Sequence, residues 1–394
     1  MSSDVLDSRI GLGNLGNTCF MNVVLQALRH TPAIGKIFLG DDVALRTASK
    51  KKDMVTAIQT LVRDFWRVEL EPGRTPTMMP RGFFHVMHNV LRDTDDDWHT
   101  PGEQSDSAEA LQYVLDALHD GMYRRVRMTV GGAASTREEQ EQVRALKSWS
   151  DFFSKEYSPI VSNFNGQNQI SITCEKCKTS SVRYEPWLMI KAPIPGSEKV
   201  GGTVPNMTQC LNAAFETETL DDYSCDVCKS KQRATITNKI SRLPPVTILS
   251  VKRFTNNGMK VRGRVEWDIN SLDFGPWRAF ARDPFADDPY PSEYETYAVI
   301  EHIGSARGGH YRMYVRGSNA DSDKWIEYDD ESVSTVPPER VVSSDSYVLF
   351  MMPRGVLRPH DEFAAAVKAL RAEGQRAEGQ RAEGQRAAAS TTKN

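Results

Sequence analysis

The sequence predicts an α+β fold in which helices come first and strands follow. Three observations carry that reading. Through about residue 157 the apolar residues recur at helical spacing, and from Ser158 onward short segments alternate apolar with polar residues, the period of a half-buried strand. Two Cys-x-x-Cys-Lys sequences, Cys174 to Lys178 and Cys225 to Lys229, sit between strand-like segments as a pair of knuckles. A chain of 394 residues and 44.2 kDa, 39% hydrophobic, can bury one large core or two to three smaller ones.

The first helix is announced by Gly11-Leu-Gly-Asn14-Leu-Gly-Asn-Thr-Cys19-Phe-Met-Asn22, a turn-rich loop running into the apolar Val23 to Leu28. Cys19 stands where loop becomes helix, where N–H groups and the positive helix end favour a thiolate. Asn14, five residues upstream, can fold back and offer its amide to an oxyanion. A lone cysteine is also a common small buried hydrophobe, so Cys19 needs partners elsewhere in the chain. Asp53 to Arg67 and Gly82 to Leu91 read as amphipathic scaffold helices, with His85 and His88 lacking a third metal ligand. Another helix opens at Gln104 to Glu109 and runs through Leu118, with Ser105 as the expected N-cap. Met122 to Lys147 reads as an exposed excursion or helical insertion without chemistry, its arginines on a solvated face.

Strands are expected from Ile160 to Phe164, Gln169 to Thr173, Ser180 to Ile190 and Arg233 to Ile240, with a helix from Met207 to Phe215. Each knuckle offers two thiolates, and Cys174, Cys177, Cys225 and Cys228 together make a four-cysteine zinc site. Four thiolates leave no open position, so such a site is structural. Cys210, inside a helical pattern, reads as core.

Further strands are expected at Leu243 to Phe254, Val261 to Leu272, Tyr294 to His302, His310 to Arg316, Lys324 to Tyr328 and Ser346 to Met352. Between them lie a turn at Asn256 to Gly258, a long loop at Gly275 to Pro291 and a glycine-rich turn at Gly304 to Gly309. His310 follows two glycines that permit close approach of a bound backbone, and Asp329 ends the neighbouring strand, where it can hold an imidazole in one tautomer. A cysteine at a helix start, a histidine on a strand and an acid on the next strand make the triad of a thiol hydrolase.

The formal net charge of -3 and an isoelectric point near 6.3 argue against a nucleic-acid binder. No run approaches the roughly 18 apolar residues of a membrane span, and Met1 to Ile10 lacks a secretory leader's pattern. Cysteines arranged as metal ligands suit a reducing compartment, so an intracellular protein, in cytoplasm or nucleus, is expected.

With both ends of the triad placed, the chain resembles the ubiquitin-specific proteases, papain-like cysteine deubiquitinases. The resemblance runs through Gly11 to Asn22 and Leu25-Gln26, Gln104-x-Asp106-x-x-Glu109, both knuckles, Leu243-Pro-Pro-Val to Lys252-Arg-Phe254, Tyr297 to Ile300, Gly308-Gly-His310-Tyr311, and Trp325 to Asp330. It implies a hand over 9–353, with a helical thumb (about 9–157), zinc-ribbon β fingers (about 158–250) and a β palm (about 251–353 plus parts of the preceding segment). Residues 1–8 are an N-terminal extension, and 354–394, with its Arg-Ala-Glu-Gly-Gln repeats, a flexible or partly helical low-complexity tail. By similarity Cys19 is the nucleophile, His310 the base, Asp329 its orienting acid with Asp330 the alternative, and Asn14 the oxyanion donor. Gln104, Asp106, Glu109, Gly309 and Tyr311 line the path of ubiquitin's tail, Asp106 and Glu109 meeting its arginines. Ser105, Ala110 and Ser250 stand where the family more often has glutamine, phenylalanine and histidine. The implied activity is hydrolysis of ester, thioester, peptide and isopeptide bonds at ubiquitin's last glycine, by a monomer with no catalytic metal. The alternatives are an inactive ubiquitin-binding scaffold and a protease for a ubiquitin-like modifier.

Overall fold

A computed structural model of the chain describes residues 9–40, 43–68, 75–94, 96–196, 204–255, 258–281, 292–306, 308–317, 324–355, 365–373 and 376. The fold is built around α1 (Cys19–Arg29), every residue of which is buried. Such a helix needs its polar residues satisfied inside the protein. Asn22, Gln26 and Arg29 form one ridge along it. Gln26 Nε2 donates to the Ile10 carbonyl at 2.8 Å, and Arg29 Nη1 donates to Gln26 Oε1 at 3.2 Å. The ridge thereby ties the entering loop to the helix.

Around α1 stand α2 (Pro32–Phe38), α3 (Lys52–Arg67), α4 (Arg81–Thr94) and α5 (Ser107–Met122). The short strands β1 (Gly11–Leu12) and β2 (Thr77–Met78) pair in parallel and fix the loop before Cys19. The expected N-cap Ser105 is replaced by Asp106, whose carboxylate accepts from the N–H groups of Ala108 at 2.7 Å and Glu109 at 3.2 Å. A carboxylate also suits the positive helix end better than a hydroxyl does. The inserted segment contains α6 (Arg137–Phe153), opened by a Thr136/Glu139 capping box, with Ala145, Trp149 and Phe153 buried. The strand expected at Ile160 to Phe164 is instead α7 (Pro159–Phe164), because Ser158 caps it and Pro159 occupies the first turn.

Two sheets follow. A four-stranded sheet runs in the order β4 (Ser180–Trp187), β3 (Gly166–Cys174), β7 (Ser230–Arg242), β6 (Glu218–Cys225), all antiparallel, and carries both knuckles at its tip. The second sheet has eight strands. Along it lie β13 (Ser332–Val336), β12 (Trp325–Asp329), β11 (Gly308–Arg316), β10 (Glu293–Ser305), β14 (Ser346–Pro353), β8 (Thr247–Lys252) and β5 (Ile190–Pro193), with β9 (Leu272–Asp273) pairing β10. The return strand expected over Val261 to Leu272 does not form. Its polar stretch is irregular, with an isolated bridge from Glu266 to Asn206 and a two-residue strand at Leu272 and Asp273.

One face of the larger sheet packs on the helices, through Tyr297, Ile300, Met313, Tyr328 and Phe350. The other face carries α8 (Met207–Ala214), whose Met207, Cys210 and Leu211 belong to the same core as Leu249, Val251 and Trp325. Cys210 is core, as expected, and burial raises its thiol to about 11. Residues 1–8 lie outside the described residues. Within the segment read as a tail, residues 365–373 form a helix, α9, with Val367 and Leu370 buried in the core that contains α1.

Candidate active site

The loop before α1 folds around the side chain of Asn14. Its Oδ1 accepts from the N–H groups of Gly16 at 2.9 Å and Thr18 at 3.2 Å. Gly16 has φ +104° and Asn17 φ 55°, so the chain reverses through the left-handed region that these two residue types tolerate best. Oδ1 being an acceptor twice over, the amide nitrogen must face the other way. It donates to Asp330 Oδ2 at 2.8 Å.

Cys19 occupies the first turn of α1, 3% exposed, beside helix N–H groups that have no intrahelical partner. His310 comes from β11 and Asp329 from β12, adjacent antiparallel strands. His310 Nε2 lies 2.5 Å from Asp329 Oδ1, which leaves Nδ1 for the thiol. The hydrogen bond to Cys19 is the largest influence lifting the imidazole to about 9, ahead of Asp329 and against the effect of burial. The structure brings the three residues together.

Asp330 does something different. Its carboxylate is close to both His310 and Asp329, with ligand atoms within 4.8 Å. Yet its two oxygens accept from Asn14 Nδ2 and Asn22 Nδ2, each at 2.8 Å, and its carbonyl accepts from Leu12 N–H at 2.8 Å. A left-handed φ of 48° aims it at the loop rather than at the imidazole. Asp329 is thus the acid bonded to the histidine, and Asp330 the one bonded to Asn14. The second acid was visible in the sequence only as an alternative for the first.

The five expected channel residues divide. Gln104 clamps Gly309 by its backbone, Nε2 donating to the carbonyl at 2.9 Å and Oε1 accepting from N–H at 3.0 Å. Gly309 tolerates no side chain, since a Cβ there would lie 2.3 Å from the Ile303 carbonyl oxygen and 2.5 Å from His302 Nε2. Asp106 is already engaged: beyond its capping bonds it accepts the Tyr347 hydroxyl at 2.8 and 3.0 Å. Tyr311 is buried, with burial and Asp106 pushing its phenol upward. Glu109 is exposed on α5. Gln104, Asp106, Phe254, His302, Gly309 and Tyr311 border a cavity of about 190 Å³.

The knuckles form a separate cluster. All four sulfurs lie within 4.8 Å of one another, with Cys174 to Cys228 at 4.0 Å and Cys177 to Cys225 at 3.6 Å. Four sulfurs about 2.3 Å from one tetrahedral zinc would be about 3.8 Å apart, so the donor set fits that ion without rearrangement. Both turns end alike, Lys178 (φ 58°) and Lys229 (φ 53°) donating N–H to the carbonyls of Cys174 and Cys225 at 2.9 and 2.8 Å. The four cysteines can hold a metal ion.

The sequence profile of the family described as "Ubiquitin carboxyl-terminal hydrolase" matches residues 10–351. The chain belongs to that family. Ubiquitin carboxyl-terminal hydrolase 21 of Homo sapiens is 28% identical over 362 residues, covering 86% of this chain and 61% of the relative. Ubiquitin carboxyl-terminal hydrolase 4 of Saccharomyces cerevisiae is 27% identical over 374 residues, covering 88% and 39%. The chain thus spans about three fifths of the first relative's length and less of the second. Among solved structures, a SAGA DUB module containing Ubp8, Sgf11, Sus1 and Sgf73 bound to monoubiquitin superposes with a TM-score of 0.65 at 23% identity, covering 90% of this chain and 71% of that one. The mixed helix-and-sheet fold is the fold of that domain. Among the described residues no helix is long and apolar enough to cross a membrane.

Proposed function

We propose that this member of the family is a cysteine-type deubiquitinase that hydrolyses bonds to the C-terminal glycine of ubiquitin. The observation that carries the proposal is the Cys19, His310, Asp329 arrangement, in which one imidazole is hydrogen-bonded to both the thiol and the carboxylate. His310 takes the thiol proton on Nδ1 while Asp329 holds Nε2, and the thiolate of Cys19 attacks the glycine carbonyl. Asn14 gives one amide hydrogen to Asp330 and keeps the other for the oxyanion, alongside the unpaired N–H groups at the start of α1. His310 then returns its proton to the leaving amine, and water releases ubiquitin from the acyl-enzyme.

A substrate ending in two glycines suits a channel this tight, since bulkier residues would meet the Gln104 to Gly309 clamp. Of the two acids assigned to substrate arginines, Glu109 has its carboxylate available, whereas Asp106 serves chiefly as cap and as partner of Tyr347. The ion held by Cys174, Cys177, Cys225 and Cys228 is zinc in a structural role.

The test is reaction with ubiquitin bearing a C-terminal electrophile, comparing the parent, Cys19→Ala and a Cys174→Ser/Cys177→Ser variant. An adduct lost with Cys19→Ala is the expected result. Absence of adduct from folded parent protein that still binds ubiquitin would overturn the protease reading, and adduct formation only with a ubiquitin-like modifier would overturn the substrate.

A further inference from the structure

His30, at the opposite end of α1 from Cys19, has no part in the chemistry above. Its Nδ1 lies 2.8 Å from the Gln26 carbonyl, and a carbonyl can only accept, so Nδ1 carries the proton. Nε2 is then an acceptor, and the Tyr328 hydroxyl donates to it at 3.1 Å. The rings of His30 and Tyr328 are 5.1 Å apart. Tyr328 is the residue before Asp329 on β12, and it is almost completely buried.

The other side of His30 faces α3, where Trp66 lies 6.4 Å away ring to ring, with the Arg29 guanidinium 5.2 Å above the same indole. That end of α3 is where α9 docks. Arg371 Nε donates to the Trp66 carbonyl at 3.0 Å, Arg63 and Glu373 pair at 3.5 Å, and Val367 and Leu370 enter the core. The residues of α9 lie beyond the segment 10–351 that matches the family.

We propose that His30 and Tyr328 are positioning residues that seat β12 so that Asp329 meets His310, and that α9 braces them through the end of α3. The connection is continuous: α9 to Trp66, Trp66 to His30, His30 to Tyr328, and along β12 to the carboxylate. Asp329 gains nothing from being near His310 unless its oxygen is aimed, and in the sheet β12 lies between β11 and β13, with Asp329 opposite Ser332. Displacements of about 1 Å at such a contact are enough to cost roughly a hundredfold in rate. The inference rests on the Cys19, His310, Asp329 reading above.

The experiment is a titration of the His310 ring by NMR in the full chain, with hydrolysis of ubiquitin carrying a C-terminal fluorogenic amide measured alongside. In the parent the ring titrates near 9, facing Cys19 and Asp329. Tyr328→Phe, which keeps the packing and removes the hydroxyl, is expected to lower that midpoint by about one pH unit and kcat by roughly tenfold at unchanged KM. Val367→Asp/Leu370→Asp, which undocks α9, is expected to do the same. Should that variant fail to fold, Arg371→Ala removes the bond to the Trp66 carbonyl and carries the same expectation. A midpoint that stays at the parent value in the variants overturns the proposal even if activity falls, since a merely structural role lowers the active fraction without moving a titration. A shift with Tyr328→Phe alone overturns the bracing by α9. The ring titration needs no substrate, so a parent that does not cleave ubiquitin but shows these shifts would sink the deubiquitinase reading and leave this one standing.

Discussion

Two neighbouring aspartates do different work, and the difference lies in a single backbone angle. Asp329, the last residue of β12, keeps the extended geometry that presents it to His310 across the sheet, at 2.5 Å. Asp330 turns left-handed and presents its carboxylate to Asn14 and Asn22. Asp329→Asn is expected to lower kcat by roughly 10² to 10⁴ and to move the alkaline limb of activity below its parent position near 9, because the imidazolium loses its carboxylate. Asp330→Asn should cost roughly 10- to 100-fold with that limb unmoved, because it disturbs the oxyanion donor and not the base. A pH profile of kcat for both variants checks the pair, and equal limb shifts would show that the two acids share one role. The sequence brought both acids to the right strand end, but which one faces the imidazole depends on φ at the strand's exit, and the residue types there are identical.

At the scale of elements, the knuckles show how far local pattern reaches. The Cys-x-x-Cys-Lys turns were legible because each is complete within five residues, down to the left-handed lysine that closes it. Their convergence depends instead on the pairing of β3 with β7, where Cys174 stands opposite Ala234, and of β6 with β7, where Cys225 stands opposite Ser230. If a metal holds these tips, exhaustive chelation should abolish amide-exchange protection at 174–178 and 225–229 while β10, β11 and β12 stay protected. Unchanged protection at the tips would show that the sheet needs no ion. The errors of pattern were also local: Ile160 to Phe164 has a strand's composition, yet Ser158 and Pro159 start a helix there. Val261 to Leu272 has some alternation, yet its pairings are scattered, Glu266 bridging to Asn206 while Leu272 and Asp273 pair with β10.

Across the whole molecule, the buried histidines make stability depend on pH. Burial, with the Lys260 charge beside it, depresses His302 to about 4, and burial next to Arg29 depresses His30 to about 3. Each folded-state value lies below the unfolded value near 6.5, so the unfolded chain gains protons that the folded chain refuses, and stability is lost as pH falls from about 6.5 towards those values. For His302, which is 4% exposed, the loss by pH 5 is about 2 kcal/mol, and His30 acts in the same direction. Urea midpoints at pH 7 and pH 5 measure it, and His302→Asn should narrow the difference between them. A difference unaffected by that substitution would assign the acid sensitivity to other groups. His310 runs the opposite way: its raised value contributes stability below about 6.5 that is lost as pH passes about 9.

What the sequence determined by itself was everything written in short-range chemistry: the turn of glycines and asparagines ahead of Cys19, the glycines before His310, the acids closing β12, the two thiol knuckles and the alternation that builds the sheets. These follow from backbone preference and period, and they need no knowledge of what lies opposite. Tertiary structure alone decided which groups pair across the chain: that Asn14 and Asn22 converge on Asp330, that Gln104 grips Gly309, that Asp106 answers to Tyr347, and that a helix beyond the segment matching the family returns to the end of α3. Such contacts join residues up to some three hundred positions apart, and their partners are selected by the packing of α1 between helices and sheet rather than by any neighbour in sequence.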